Sequence, residues 1–177
     1  MIMRHLFDLD AKDYASCTRA FVRPSARSII IRDGRIAMVH SLKYDYYKFP
    51  GGGIRAGEDP ADAMIRETRE EAGLRVVPES VRAYGMVHRI QKSNTNPAEC
   101  FIQDNYYFLC AVLSDCTSQD LDDYEAEERF TLEYVSPEHA IRTNRGGGHG
   151  PKDLIMLERE ARVLEMLMQE GFFTNRC

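Results

Sequence analysis

The chain lacks any run of about 18 apolar residues, which excludes a membrane-spanning helix. Its first residues, Met1–Asp10, mix charged with apolar side chains and lack the apolar core of a signal peptide. The sequence contains 23 Lys and Arg but 28 Asp and Glu, so acidic residues outnumber basic residues and the net charge is −5. That balance argues against non-specific binding to nucleic acids or membrane surfaces. We therefore expect a cytoplasmic protein that binds neither a membrane nor a nucleic acid.

Paired cysteines are also missing from the sequence. None of the five cysteines forms a C-x-x-C pair with another, and no H-E-x-x-H spacing occurs among the five histidines. An odd number of unpaired cysteines fits reduced thiols and excludes a structural zinc site of the usual spacing. The cysteines are Cys17, Cys100, Cys110, Cys116 and Cys177.

Length and composition indicate one folded domain. At 177 residues, with 44% hydrophobic and 29% charged residues, the chain is long enough to bury a real core. We expect a single domain over residues 1–177, in which residues 1–25 form an N-terminal extension. Strand patterns at Val81–Ile90, Phe101–Leu113 and Phe130–Val135 alternate with helix signals, which predicts an α/β or α+β fold.

One helix is marked at both ends. Asp59 is a suitable N-cap, Pro60 suits the first helical position, and Gly73 suits a left-handed stop. Apolar or small side chains recur between them at helical spacing and predict a buried face; they are Ala61, Met64, Ile65, Thr68 and Ala72. Arg66, Glu67, Glu70 and Glu71 fall on a different face.

Three carboxylates converge on that second face. Like charges three or four residues apart on a helix repel each other by about 0.2–0.5 kcal/mol per pair. A divalent cation would remove this repulsion, and carboxylate oxygens suit Mg²⁺ or Mn²⁺. The glycine cluster Gly51–Gly53 supplies backbone that can approach a metal or a phosphate closely. Together the loop and the helix predict a metal-assisted site for phosphoryl chemistry.

The full spacing of these residues is more specific than an acidic helix alone. Gly52, Glu58, Arg66-Glu67, Glu70-Glu71 and Gly73 fit the pattern G-x5-E-x7-R-E-U-x-E-E-x-G-U, in which U is a bulky apolar residue. Leu74 fits the second U, and Thr68 departs mildly from the first. At average residue frequencies a chance match has a probability of about 10⁻⁶ for this chain. The pattern resembles the Nudix box of the Nudix hydrolase family.

The resemblance implies a fold, an activity and a set of site residues. The fold is a mixed β-sheet sandwiched between α-helices, and the activity is hydrolysis of a nucleoside diphosphate linked to another group X, with Mg²⁺ or Mn²⁺ as cofactor. It implies that Glu67, Glu70, Glu71 and the carbonyl of Gly51 bind metal and that Arg66 orients a carboxylate. The resulting catalytic residues are Arg66, Glu67, Glu70 and Glu71. Glu58 and Gly52 would brace the loop, and a homodimer is possible by family analogy.

A later acidic segment is a second source of carboxylates. Six acids fall within nine residues, namely Asp120, Asp122, Asp123, Glu125, Glu127 and Glu128. Many family members carry an extra metal-binding or basic glutamate in such a place, and we take Glu127 as the further metal ligand, with Glu128 as its alternative. A solvated acidic loop is the competing interpretation. Whether the general base lies in the box or in this segment stays open.

The box leaves the substrate undetermined, because substrate contacts come from loops outside it. We expect Gln91–Cys100 to form one wall of the pocket. ADP-ribose or a nucleotide sugar is the first expectation, and a nucleoside triphosphate, including an oxidised one, is the alternative. A Nudix-fold sensor that binds nucleotides without hydrolysis is a second class. Hydrolysis of RNA 5′ ends is a third, which the acidic charge balance disfavours.

Overall fold

The computed structural model describes residues 3–174. Its strands are β1 (His5–Asp10), β2 (Arg19–Val22), β3 (Ser25–Ile29), β4 (Ile31–Arg32), β5 (Arg35–Ser41), β6 (Tyr46–Lys48), β7 (Gly51–Gly53), β8 (Leu74–Val76), β9 (Arg82–Lys92), β10 (Glu99–Leu109), β11 (Val112–Cys116) and β12 (Phe130–Val135). Its helices are α1 (Pro60–Ala72), α2 (Asp123–Glu127), α3 (Pro137–Arg145) and α4 (Leu154–Gln169), with a 3₁₀ turn at Pro78–Ser80. Each α-helix in the described part of the chain is too short or too polar to span a bilayer.

The main sheet is mixed and runs in the order β1-β9-β10-β3-β7. β9 and β10 are antiparallel, whereas β10 runs parallel to β3 and also to β2, which pairs beside β3. A smaller antiparallel sheet joins β12, β5 and β4, with β6 on β5. Helices cover both faces of the main sheet, which confirms the predicted fold class.

The two faces are visible in consecutive residues of the central strand β10. Tyr107 packs in a cluster with Val163 and Leu164 of α4. Phe108 points the other way and packs with Ala26 and with Met64 of α1. Since side chains alternate along a strand, one strand anchors both helical layers.

The predicted ends of α1 are confirmed. The Asp59 side chain accepts from the Ala61 amide, Pro60 occupies the first turn, and Gly73 is left-handed with φ of 65°. Gly73 also has a packing reason, because a Cβ there would lie 2.3 Å from the carbonyl oxygen of Thr117. Thr68, which stands where the motif has a bulky apolar residue, is fully buried. It therefore lies on the predicted buried face of α1.

Two features differ from the expectations. Part of residues 1–25 lies in the main sheet, since β1 pairs with β9 and β2 pairs with β10. The strand expected at Phe101–Leu113 is broken after Leu109, and the chain continues as β11, which pairs with β8. In α4 the side chains of Leu157, Ala161 and Leu164 are buried, whereas Leu154 in its first turn is 66% exposed. The cysteines at 17, 100, 110 and 116 are free thiols, and Cys177 lies outside the described residues.

Candidate active site

Arg66 lies at the centre of the carboxylate face of α1. Its Nε and Nη2 atoms each donate to one oxygen of Glu58, at 2.8 Å in both cases. Its Nη1 atom donates to Glu67 at 2.6 Å and to Glu70 at 3.1 Å, while Nη2 also reaches the carbonyl of Gly53 at 3.1 Å. The Arg66 guanidinium lowers the pKa of Glu58 to about 2. One arginine therefore ties the preceding loop to two carboxylates of the helix.

The glycine strand β7 packs directly against these carboxylates. A Cβ on Gly52 would lie 2.3 Å from Oε2 of Glu67, so any larger residue would displace that carboxylate. Gly51 has φ of 146°, and a Cβ there would lie 2.2 Å from the Ala26 carbonyl oxygen. The two glycines are required by close approach on opposite sides of β7.

Glu71 is the buried member of the carboxylate set, with 1% of its surface exposed. One oxygen accepts from the Lys48 ammonium, and the other accepts from the Gly51 amide at 2.9 Å. Burial raises the pKa of Glu71 to about 7; Lys48 opposes the rise and the neighbouring Glu125 carboxylate adds to it. Burial also raises the pKa of Glu67, and Arg66 opposes that rise.

This shift in Glu71 gives a testable pH dependence. Between its ordinary value of 4.5 and its folded value of about 7, the folded protein holds a proton that the unfolded chain has released. Retaining this proton stabilises the folded protein at the low-pH end of this range. That contribution to the free energy of unfolding is lost as the pH rises through the folded pKa of Glu71. Urea unfolding of the metal-free protein in EDTA, from about pH 5 to about pH 8, should show a falling free energy of unfolding that Glu71→Gln flattens. An equally steep fall in Glu71→Gln would assign the pH dependence to another group.

The structure does not bring Glu127 to this set of carboxylates. The Glu127 side chain is 70% exposed and pairs with Lys43 at the surface. Its predicted alternative, Glu128, is buried, but its carboxylate accepts from the Tyr46 hydroxyl at 2.7 Å and pairs with Lys152.

Glu125 is the acid of the same segment that reaches the buried Glu71. It is 4% exposed and contacts Glu71. Its carboxylate accepts from the Asp122 amide at 2.9 Å and from the Tyr124 hydroxyl at 2.8 Å. Burial opposes its ionisation, but hydrogen bonds from Glu71, the Asp122 backbone and Tyr124 outweigh burial and lower the pKa of Glu125. We therefore move the proposed fourth carboxylate from Glu127 to Glu125.

A sequence signal for Glu125 existed. Asp122 and Glu125 stand three residues apart, which is the spacing of an N-cap with a glutamate that bonds back to its amide. That spacing predicts a short helix beginning at Asp123 and fixes Glu125 in its first turn. Which side of this turn faces α1 is decided by packing, and the sequence carries no signal for it.

A cleft with a volume of about 230 Å³ opens beside Glu67 and the glycine strand. Its basic lining residues are Arg23, Arg27, Lys48, Arg89, Lys152 and Arg159. Its carboxylates are Glu67, Asp122 and Glu125. Four of these basic side chains are paired with carboxylates, namely Lys48 with Glu71, Arg89 with Asp153, Lys152 with Glu128 and Arg159 with Glu160. The positive charge that is open to a ligand therefore comes from Arg23 and from the unpartnered Nε atom of Arg27. Local charge of this kind concentrates anionic ligands.

A buried ion pair of α4 forms the floor of this cleft. Arg159 and Glu160 are both 0% exposed, and Arg159 donates to Glu160 at 2.6 and 2.9 Å. Arg159 also donates to Gln103 at 3.1 Å and to Asn105 at 2.6 Å. The sequence interpretation missed this pair. The sequence did indicate it, because position 160 lies three residues after Leu157 and four before Leu164 and so falls on the same buried helix face. An acid on that face needs a buried partner.

Arg27 completes the floor from strand β3. It is 6% exposed, and its Nη1 atom donates to the Phe49 carbonyl at 3.2 Å. Its Nε atom has no hydrogen-bond partner within residues 3–174. A buried donor without a partner is unfavourable, and an anion in the cleft would satisfy it.

The carboxylates in the described part of the chain are held apart by basic side chains. Arg66 binds Glu67 and Glu70, while Lys48 binds Glu71. Within residues 3–174, no three acidic, histidine or cysteine side chains converge closely enough to hold a metal ion in this arrangement.

Comparison with known proteins assigns the family. The NUDIX domain profile matches residues 22–155, which is well over half of the 177-residue chain. The RNA pyrophosphohydrolase of Xylella fastidiosa strain 9a5c is 30% identical over 137 residues, covering 70% of this chain and 71% of that protein. A NUDIX hydrolase from Nitrosomonas europaea superposes with a TM-score of 0.57 at 16% identity, over 81% of this chain and 90% of that one. MutT from Aliivibrio salmonicida and Vibrio cholerae gives a TM-score of 0.55 at 16% identity, over 85% and 99% of the chains.

The chain belongs to the Nudix family. It is a hydrolase that acts on acid anhydrides of phosphorus, a pyrophosphohydrolase. The family and the reaction class predicted from the sequence are confirmed.

Proposed function

We propose that the chain hydrolyses a phosphoanhydride bond in the 5′-triphosphate of a nucleotide, with a divalent cation as cofactor. The observation that carries the proposal is the basic cleft beside the carboxylate face of α1. A terminal triphosphate carries more charge than the doubly esterified diphosphate of ADP-ribose or a nucleotide sugar. It therefore offers Arg23 and the unpartnered Nε atom of Arg27 more negative charge to pair with than the substrates first expected from the sequence do.

The donor set fits Mg²⁺ or Mn²⁺ in its chemistry. Carboxylate and carbonyl oxygens are hard ligands that suit these ions. We propose that Glu67, Glu70, Glu71, Glu125 and the Gly51 carbonyl hold the cation, in place of the counter-charge that Lys48 and Arg66 supply in the structure. When bound, it would neutralise phosphate charge and make a bound water a better nucleophile.

The chain's own residues hold the substrate. Arg23 is exposed, contacts no acidic side chain within the described residues, and lies against Gly53, so it is available to a phosphate. Arg27 offers its unpartnered Nε atom from the floor. We infer that whichever of Glu67 and Glu125 the cation leaves free takes the water's proton, because both line the cleft beside β7.

The triphosphate of an RNA 5′ end is the second candidate substrate. It is favoured by the relative from Xylella fastidiosa, which is named an RNA pyrophosphohydrolase. The net charge of −5 disfavours extended contact with an RNA backbone, but not capture of its first nucleotide. We place the activity in the cytoplasm, where the four described thiols would stay reduced.

The proposal is tested by chromatographic measurement of the products formed from a substrate set with Mg²⁺ or Mn²⁺. The set contains ordinary and 8-oxo nucleoside triphosphates, a 5′-triphosphorylated RNA, ADP-ribose and a nucleotide sugar. We expect a triphosphate to give the highest kcat/KM, above about 10⁴ M⁻¹s⁻¹. Preference for ADP-ribose or the nucleotide sugar would overturn the triphosphate assignment. Tight binding without turnover of any substrate would indicate the sensor instead.

The reassignment of the fourth carboxylate has its own test. Glu125→Gln keeps the size of the side chain but removes its charge from the cleft, and we expect kcat to fall about 10- to 1,000-fold. Glu127→Gln in the same segment is the matched control, because that side chain is exposed and should leave kcat within about twofold. Steady-state kinetics at saturating metal make the comparison. A larger fall in kcat for Glu127→Gln than for Glu125→Gln would return the proposed fourth carboxylate to Glu127.

A further inference from the structure

A second cleft adjoins the cleft beside Glu67 and the glycine strand. Its volume is about 290 Å³, and it lies between β2, the β9–β10 loop and the N-terminus of α4. Its lining residues are Phe21, Arg23, Arg89, Gln91, Ser93, Asn94, Thr95, Phe101 and Asp153. Arg23, Arg89 and Phe101 line both clefts, so the two spaces meet at these side chains.

We propose that this second cleft binds the nucleobase of the substrate, by stacking on Phe21 and Phe101. The inference rests on the proposed function, because the phosphates of the same nucleotide would occupy the first cleft. Neither cleft alone reaches the roughly 300 Å³ at which small-molecule pockets begin. Together they provide the length that a nucleotide requires.

Strand register places aromatic and basic rows side by side. Phe101 of β10 pairs with Phe21 of β2 on one side and with Gln91 of β9 on the other. Two residues further along the same face, Gln103 pairs with Arg89. Since side chains at i and i+2 share a face, a ligand crossing from one row to the other passes from aromatic rings to guanidinium groups.

The aromatic pair is open on its outer side. The ring centroids of Phe21 and Phe101 are 6.0 Å apart, and the Arg89 Cζ atom lies 5.2 Å from the Phe101 centroid. Phe21 is 46% exposed, one residue before the end of β2. A flat apolar surface next to an arginine suits a base, because bases stack on aromatic rings with little dependence on sequence.

Hydrogen bonds hold the polar wall of this cleft in place. The Asp153 carboxylate accepts from Gln91 at 2.9 Å and from Asn94 at 3.3 Å, and it also pairs with Arg89. Both Gln91 and Arg89 are less than 6% exposed. Because the Asn94 amide nitrogen is used by Asp153, its carbonyl oxygen is left to accept a hydrogen bond from a base edge. Asp153, the N-cap of α4, thus holds the β9–β10 loop in place beside the Phe21 and Phe101 rings.

Tryptophan fluorescence tests the inference directly, because the chain contains no tryptophan. Phe21→Trp places a single indole in the proposed stack. Stopped-flow mixing with GTP or ATP in Mg²⁺ should give a saturable quench before turnover, and inorganic tripolyphosphate should give none. Val22→Trp is the matched control, since Val22 is 60% exposed and points to the opposite face of β2.

Truncation provides a second measurement. Phe21→Ala should weaken GTP or ATP binding about 10-fold, in line with the loss of one base–aromatic stack, and should leave tripolyphosphate binding unchanged. An equal quench by tripolyphosphate, an equal quench in Val22→Trp, or unchanged nucleotide affinity in Phe21→Ala would each overturn the base site. A base-dependent quench without any product would keep the base site and overturn the proposed hydrolysis.

Discussion

Glu67→Gln should lower kcat by about 10²- to 10⁴-fold, with little change in the unfolding midpoint. Glu67 is the carboxylate of the Nudix motif that lines the cleft beside the glycine strand. Its position is fixed by Arg66 on one side and by Gly52 on the other. The glutamine side chain keeps the shape of the glutamate but lacks the negative charge that would bind a divalent cation. Metal-ion assistance contributes several kcal/mol, and each 1.36 kcal/mol is tenfold in rate.

The measurement is single-turnover kinetics with saturating Mg²⁺, together with Mg²⁺ titration by calorimetry. Glu138→Gln is a suitable control, because Glu138 lies in the first turn of α3, away from the cleft. We expect the control to keep full kcat and the same metal affinity. A Glu67→Gln enzyme that turns over within about threefold of the parent would remove Glu67 from the site.

Arg159→Ala should destabilise the protein by about 3–5 kcal/mol, the range for removing one partner of a buried ion pair. Arg159 and Glu160 are both 0% exposed, and Glu160 also accepts from the Phe49 amide at 2.7 Å just before the glycine strand. Without Arg159 the Glu160 carboxylate stays buried with only Arg27 nearby, whose Nε atom lies 4.0 Å away. An uncompensated buried charge is the dominant cost.

Urea unfolding followed by circular dichroism measures this loss. Arg145→Ala is the matched control, because Arg145 pairs with Glu158 and Glu165 at 2.8 and 2.6 Å but is 39% exposed. Exposed pairs contribute about 0–1 kcal/mol, so the control should lose no more than that. The double variant Arg159→Met with Glu160→Gln should recover part of the loss. Similar losses in Arg145→Ala and Arg159→Ala would show that burial of the pair is not what stabilises α4.

The two experiments also separate roles within the cleft. We propose that Glu67 acts on the chemistry, so its loss should appear in kcat. Arg159 supports the floor through Gln103 and Asn105, so its loss should appear first in stability. Together they distinguish residues that contact the substrate from residues that hold the cleft open.

Some of this structure follows from the sequence because it depends on neighbours within one helix turn. Asp59, Pro60 and Gly73 fix the ends of α1 by local hydrogen bonding and backbone preference. The spacing of Arg66 and Glu70 fixes their contact, because residues four apart on a helix are adjacent. The ends of α1 and the contact between Arg66 and Glu70 could therefore be predicted without coordinates. The reaction class followed from the resemblance of the motif to the Nudix box.

Other features depend on residues that lie far apart in the chain. Lys48 meets Glu71, Arg159 meets Asn105, and Phe21 meets Phe101 across 80 positions. Nothing in the local pattern of either partner specifies these contacts. They are set by strand register and by how α4 packs on the main sheet.

The choice between Glu125 and Glu127 shows the difference most clearly. The sequence by itself determined that an acidic segment follows the box, but the Asp122–Glu125 spacing of a capped helix was not used to predict a helix there. Only the tertiary structure decided that Glu125 turns inward to Glu71 while Glu127 pairs with Lys43 at the surface. The physical reason is that a two-residue step on a helix rotates the side chain by about 200°, so packing of the helix selects which acid is buried.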